Sequence, residues 1–138
     1  MILDAQLLDI QPLLGENLFN SILTSPEDFT ELLDGGIYEN DGISYTNYGL
    51  KMVICYFAYA RYMLFSSAID TPFSVVQKIS SNDSKPAENS VKKTIYSLNR
   101  EAAFQIWSNV KNYLKRTKNP EFVHCNTSMG NLRFTKLS

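Results

Sequence analysis

At 138 residues, with 44% hydrophobic and 20% charged side chains, the chain suits one domain with its own core and excludes both a disordered tail and a membrane protein. Thirteen Lys and Arg against fourteen Asp and Glu leave a net charge of -1, which offers no basic face for duplex nucleic acid. Asp4 and Asp9 interrupt the first apolar stretch and no Lys or Arg precedes it, unlike a secretory leader, so a soluble chain made in the cytosol is expected.

Leu3, Leu7, Leu8 and Ile10 share one helical face before Pro12, and Leu14, Leu18, Phe19, Ile22 and Leu23 repeat at helical spacing after it. This pattern predicts two short helices, or one broken at Pro12 and Gly15. A further helix starts at Ser25-Pro26, with Glu27 and Asp28 at its positive end, Phe29, Leu32 and Leu33 on its buried side, and Gly35-Gly36 stopping it. Ile37-Tyr38, the turn Asn40-Asp41-Gly42 and Ile43-Ser44-Tyr45 predict a β-hairpin, too short to stand without support from the helices.

From about Asn47 to Ser67 runs a central helix apolar on nearly every azimuth, with Met52, Val53, Ile54, Tyr56, Phe57 and Tyr59 in succession. Such a helix lies in the middle of a core or shares a face with another subunit, and both readings stay open. The greasy run Met52–Ala60 is too short to span a bilayer. Thr71-Pro72 ends the helix, Phe73, Val75 and Val76 suggest an extended segment, and residues 80–84 read as a polar loop. A long helix from about Pro86 to Lys118 carries the stripe Val91, Ile95, Leu98, Ala102, Ile106, Val110 and Tyr113, widened by Tyr96, Ala103, Trp107 and Leu114. Phe104 falls on its opposite side. Lys111, Lys115, Arg116 and Lys118 suit the negative helix end, which Asn119-Pro120 closes. The pattern is therefore mainly α: a helical bundle over residues 1–119 with a long C-terminal helix and one small β-hairpin, then an extended C-terminal tail over 120–138.

No usual entry to catalysis is present. Gly35-Gly36 lacks the spacing and the following Lys of a phosphate loop, and there is no Gly-x-Ser-x-Gly elbow. His124 beside Cys125 supplies two metal ligands at best, and Cys55 with Cys125 makes no disulfide framework. Glu27 with Asp28 and Glu39 with Asp41 are explained by a helix start and a turn. The reading is non-enzymatic, with no metal and no cofactor. The eight Tyr and eight Phe are the notable feature, and packing with some rings reaching an interface explains them better than stacking of single-stranded nucleic acid.

One order of segments resembles a known family. The turn Leu32-Leu33-Asp34-Gly35-Gly36-Ile37-Tyr38-Glu39 leads into Tyr48-Gly49-Leu50-Lys51. The aromatic helix Tyr56-Phe57-Ala58-Tyr59-Ala60-Arg61-Tyr62 follows, then the extended Thr71-Pro72-Phe73-Ser74-Val75-Val76-Gln77-Lys78, then a long helix ending in Trp107 and Tyr113-Leu114. This is similar to the head-to-tail connector (adaptor) proteins of tailed phages, especially the ring proteins of crAss-like phages infecting gut Bacteroidota. The likeness covers about residues 30 to 118. It implies a structural virion protein of the neck, assembled in the host cytoplasm as a homo-oligomeric ring, usually twelvefold, beneath the portal protein and against further connector or tail rings. DNA then passes through the channel without sequence-specific binding, and no membrane, catalytic residue or cofactor is involved.

On that reading the candidate subunit or partner contacts are Tyr38, Tyr45 and Phe104, with Phe122, Leu132 and Phe134 in the tail. The tail is expected to order against a neighbour by strand addition to an open edge, the Ile37–Tyr45 hairpin being the evident one. A small helical regulatory or ligand-binding module is the alternative, which a pocket among the tyrosines would support.

Overall fold

The structure is a computed structural model that describes residues 1–66, 68–70, 75–77 and 89–122, with backbone alone at 68–70 and 75–77. It is mainly helical, with an antiparallel hairpin and a long last helix. The N-terminal run comprises α1 (Ile2–Asp4), a π-helical segment (Ala5–Ile10) and α2 (Gln11–Leu14). It is one helical run rather than two helices parted at Pro12. A π turn leaves a ladder position open, so a residue without N–H fits where α geometry resumes. Gly15, at φ 85, ends the run.

The face this run buries is not the one its leucines suggest. Ala5, Asp9, Ile10 and Leu14 are buried, while Leu3, Leu7 and Leu8 are 62%, 45% and 61% exposed. Small Ala5 permits close approach to the central helix, and Asp9 is drawn inward by two arginines.

Helix α3 (Glu16–Thr24) buries Leu18, Phe19 and Ile22 but leaves Leu23 exposed. Pro26 opens a 3-10 turn (Pro26–Phe29) in which the Ser25 side chain makes no capping bond, and α4 (Thr30–Asp34) continues it. Strands β1 (Gly36–Asn40) and β2 (Ile43–Asn47) pair antiparallel, with Tyr38 opposite Tyr45. Asp41 and Gly42 have φ of 52 and 76, the positive pair that a two-residue hairpin turn of the right twist requires.

Helix α5 (Leu50–Phe65) starts later than the sequence suggests, because Asn47 closes β2 and Gly49 forms the entry. There the end of α4 meets the start of α5. Asn47 donates to the Glu31 carbonyl at 2.9 Å and accepts from the Gly49 N–H at 3.1 Å. A Cβ on Gly49, at φ 86, would lie 2.7 Å from the Leu33 carbonyl oxygen, so only glycine fits.

A second antiparallel pair, β3 (Ala68–Asp70) with β4 (Val75–Gln77), occupies the segment expected to be extended. Helix α6 (Asn89–Arg116) then runs back along α5. It stops three residues before Asn119: Lys118 turns left-handed at φ 52, and the Asn119 N–H bonds the Leu114 carbonyl at 3.2 Å. That is the six-to-one closure of a helix C-terminus.

The α6 stripe is rotated from its expected position. Ala103, Trp107, Val110, Tyr113 and Leu114 are buried, and so is Lys92, but Val91 and Leu98 are 48% and 60% exposed. The core joins these residues to Ile10, Leu14, Leu18, Leu50, Val53 and Phe57. The tail beyond Phe122 and the polar loop at 80–84 lie outside the described residues.

Candidate functional site

Three groupings of side chains stand out, and the sequence announces only part of them. The first is an ionic tie. Asp9, 6% exposed, accepts from Arg61 Nε at 2.7 Å and from Arg100 Nη1 at 2.8 Å, joining the π segment to α5 and α6. Burial would raise the Asp9 carboxyl, but the hydrogen bonds and charge of Arg61 and Arg100 outweigh it and hold it below its ordinary range. The Asp9 bond in turn raises Arg61. Arg100 also spreads over the rings of Phe57, Tyr96 and Phe104, at 5.2, 5.5 and 5.6 Å from their centroids. This set carries no nucleophile; it fixes three helices in one arrangement.

The second is an aromatic tie between hairpin and α6. Tyr38 stacks on Tyr45 at 5.8 Å and meets Tyr113 edge-on at 4.9 Å. Arg116 lies 3.7 Å over the Tyr45 ring and donates to the Tyr38 hydroxyl at 2.9 Å. Tyr113 is pushed up, by burial first and then by the Glu31 carboxylate its hydroxyl faces at 3.3 Å. Tyr38 and Tyr45, expected as partner contacts, are thus engaged within the subunit and half-buried. Asn109 adds to the tie, accepting from the Tyr48 N–H at 3.0 Å and donating to the Thr46 carbonyl at 2.9 Å.

The third grouping is exposed. On α5 the side chains facing away from the core are Met52, Cys55, Tyr56, Tyr59 and Tyr62, with exposures from 37% at Tyr56 to 56% at Tyr62 among the large ones. At 1.5 Å per residue this uncharged stripe extends about 15 Å along the helix. Cys55, Tyr56 and Tyr59 line a shallow hollow of about 260 Å³ with Asn99 of α6. Of the two open readings of the central helix, the structure therefore covers one side within the subunit and leaves the other in solvent.

Phe104 is 44% exposed, and its ring meets the buried Phe57 edge-on at 5.2 Å. Phe122 lies edge-on to Trp107 at 6.2 Å. Leu132 and Phe134 fall outside the described residues, as do His124 and Cys125. Among the described residues no three or more His, Cys, Asp or Glu are grouped to hold a metal ion. No described helix is long and apolar enough to cross a membrane. A larger recess of about 480 Å³ lies between the 3-10 turn, α4 and the end of α6, with Glu27, Asp28 and Glu31 at its rim.

The sequence reading missed the ionic tie, treating Asp9 only as an interruption of an apolar run. The available signal was its place: Asp9 sits four residues after Ala5 and five before Leu14, on the helical face that is small and apolar.

Residues 10–131 match a protein family described as a family of unknown function (DUF6712), and the chain belongs to that family. No curated protein and no solved structure matches it.

Proposed function

We propose that the chain is a structural virion protein, one ring component of a phage head-to-tail connector beneath the portal, extending the DNA channel and joining capsid to tail. The observation that supports this is the presence of uncovered apolar side chains on two separate helical surfaces. One is the side of α5 that carries Met52, Tyr56 and Tyr59; the other is the exposed Leu3 and Leu7 side of the N-terminal run. A closed ring joins unlike surfaces head to tail, so each subunit needs two of them. Scattered exposed leucines are ordinary, but contiguous rows on two elements mark contact surfaces. The resemblance of the segment order to that of connector proteins points the same way. On this reading the chain has no catalytic residue and no cofactor, and it is placed in the virion neck.

The test is an electron cryo-microscopy reconstruction of the neck of the phage that encodes the chain. The expected result is a closed ring of this chain below the portal. A virion without the chain, or a chain attached elsewhere as isolated copies, overturns the proposal.

One observation favours the alternative of a small ligand-binding module: the hollow among Cys55, Tyr56, Tyr59 and Asn99. Its volume of about 260 Å³ is below the roughly 300–1,000 Å³ usual for small-molecule sites, and it is open to solvent. Its shape suits a side chain of another protein better than an enclosed ligand.

A further inference from the structure

The hairpin has two outer edges, and its register shows which one is open. The two-residue turn Asp41-Gly42 makes Asn40 and Ile43 a hydrogen-bonded pair, and such pairs then recur at every second position. Gly36 and Tyr38 of β1 therefore bond β2, whereas Ile37 and Glu39 turn their N–H and C=O groups outward. Thr46, the β2 residue opposite Ile37, has its outward carbonyl taken by the Asn109 side chain at 2.9 Å. Ile37 and Glu39 have no such cover. Among the described residues nothing bonds their backbone groups, and Ile37 is 80% exposed. An unpaired edge of this kind is a template for a further strand.

We infer that residues 132–137 of the same chain add to the β1 edge as a third strand. Three observations carry it. The first is pattern: Leu132, Phe134 and Lys136 alternate with Arg133, Thr135 and Leu137, so one set lies beside Ile37 and Glu39 while the other faces the helices. The second is charge. No Asp or Glu follows Glu121, which leaves Arg133 and Lys136 without acidic neighbours in the sequence. The β1 side is acidic in return. Glu39 lies on the strand, Glu31 lines a hollow of about 250 Å³ with Gly36, Ile37 and Tyr38, and Glu27 and Asp28 rim the larger recess next to it. Arg116, the cation that reaches the hairpin, is engaged by the Tyr45 ring and the Tyr38 hydroxyl.

The third observation is reach. The two hollows meet at Glu31 and Tyr113, so a trough leads from Asn119 and Pro120 to Gly36 and Ile37. Phe122 lies against Trp107, roughly 9 Å along α6 from Tyr113, whose ring touches Tyr38. Residues 123–131 can extend over roughly 30 Å. The segment therefore reaches its own β1 edge, and the neighbouring subunit expected from the sequence is not needed.

Amide hydrogen exchange of the full chain, read residue by residue by NMR, supplies the test. Tyr38 and Asn40, bonded across the hairpin, serve as the protected reference. In the parent chain the Ile37 or Glu39 amide is expected to exchange at least about tenfold more slowly than in the double variant Phe134→Pro and Thr135→Pro. Neighbouring strand N–H groups point opposite ways, so one of the two donors removed faces β1 whichever set turns inward. Arg133→Glu with Lys136→Glu leaves those donors in place and is expected to weaken the same protection. Ile37 and Glu39 amides that exchange equally fast in the parent and in the proline variant overturn the proposal. Protection that survives both double variants overturns the segment as the occupant. Protection that grows with protein concentration assigns the edge to a second copy and overturns docking within the chain.

Discussion

The Asp9 tie offers the sharpest test of how the helices are held. Asp9→Asn keeps the shape of the side chain and removes its charge, leaving Arg61 and Arg100 without a counter-ion. Removing one partner of a buried ion pair costs about 3–5 kcal/mol. Here the arginine side chains are 19% and 26% exposed, so water relieves part of the uncompensated charge, and the amide oxygen still accepts one bond. The expected loss is therefore about 2–3 kcal/mol, or about 6–12 °C in Tm for a chain of this size.

The pH dependence follows from the depressed carboxyl. Asp9 binds its proton less readily folded than unfolded, so the stabilisation is complete above its ordinary value of 3.8 and fades as pH falls through the lower folded value. Urea denaturation followed by circular dichroism at pH 7, and again in steps below pH 4, measures both. The gap between the parent and Asp9→Asn is expected to stay level near neutrality and to close in acid. A loss under about 0.5 kcal/mol at pH 7, or a gap indifferent to acid, refutes the account. Replacing the set with Asp9→Leu, Arg61→Met and Arg100→Met is expected to restore near-parent stability, because the stranded charges are then gone.

Gly49→Ala is expected to destabilise by more than about 2 kcal/mol, since a left-handed backbone and a contact with the Leu33 carbonyl oppose the added methyl; equal stability in urea would refute this. Asn109→Ala removes both bonds that hold the β2 exit to α6, at about 1–2 kcal/mol, and hydrogen exchange at the Tyr48 amide is expected to accelerate. Phe104→Ala loses its edge contact with Phe57 and part of the Arg100 cradle, for about 1 kcal/mol of stability. Its proposed place as a subunit contact adds a separate outcome: ring assembly on the portal is expected to fall, and unchanged assembly removes Phe104 from the interface.

Where local chemistry dictates conformation, the sequence was sufficient. Asp41-Gly42 demanded positive φ at consecutive positions and produced the two-residue turn. Gly35 stopped α4 because its φ of 78 is open to glycine. The long helix and its C-terminal stop also followed from spacing, although Lys118 rather than Asn119-Pro120 makes the turn. What spacing could not supply was the azimuth of burial. The leucines at 3, 7 and 8 form as good a stripe as Ala5, Asp9 and Ile10, and hydrophobicity favours the leucines. Two arginines far along the chain decide otherwise, Arg61 and Arg100 being separated from Asp9 by 52 and 91 positions. A periodicity argument confined to one helix has no access to that pairing.

The same reasoning accounts for α6. The stripe from Val91 to Ile106 is apolar over a wider arc than α5 can cover, so satisfying the core with Ala103, Trp107 and Leu114 pushes Val91 and Leu98 to the rim. On α5 the core takes Val53, Phe57 and Ala60, and the surplus apolar arc emerges as the tyrosine side. Two helices with more apolar side chains than the core can bury leave part of that surface exposed. The Asp9 ion pair likewise goes with Leu3 and Leu7 turned outward. The exposed faces are thus the remainder of the packing that makes the fold, which is why helical spacing revealed the excess and only the three-dimensional arrangement revealed where it lies.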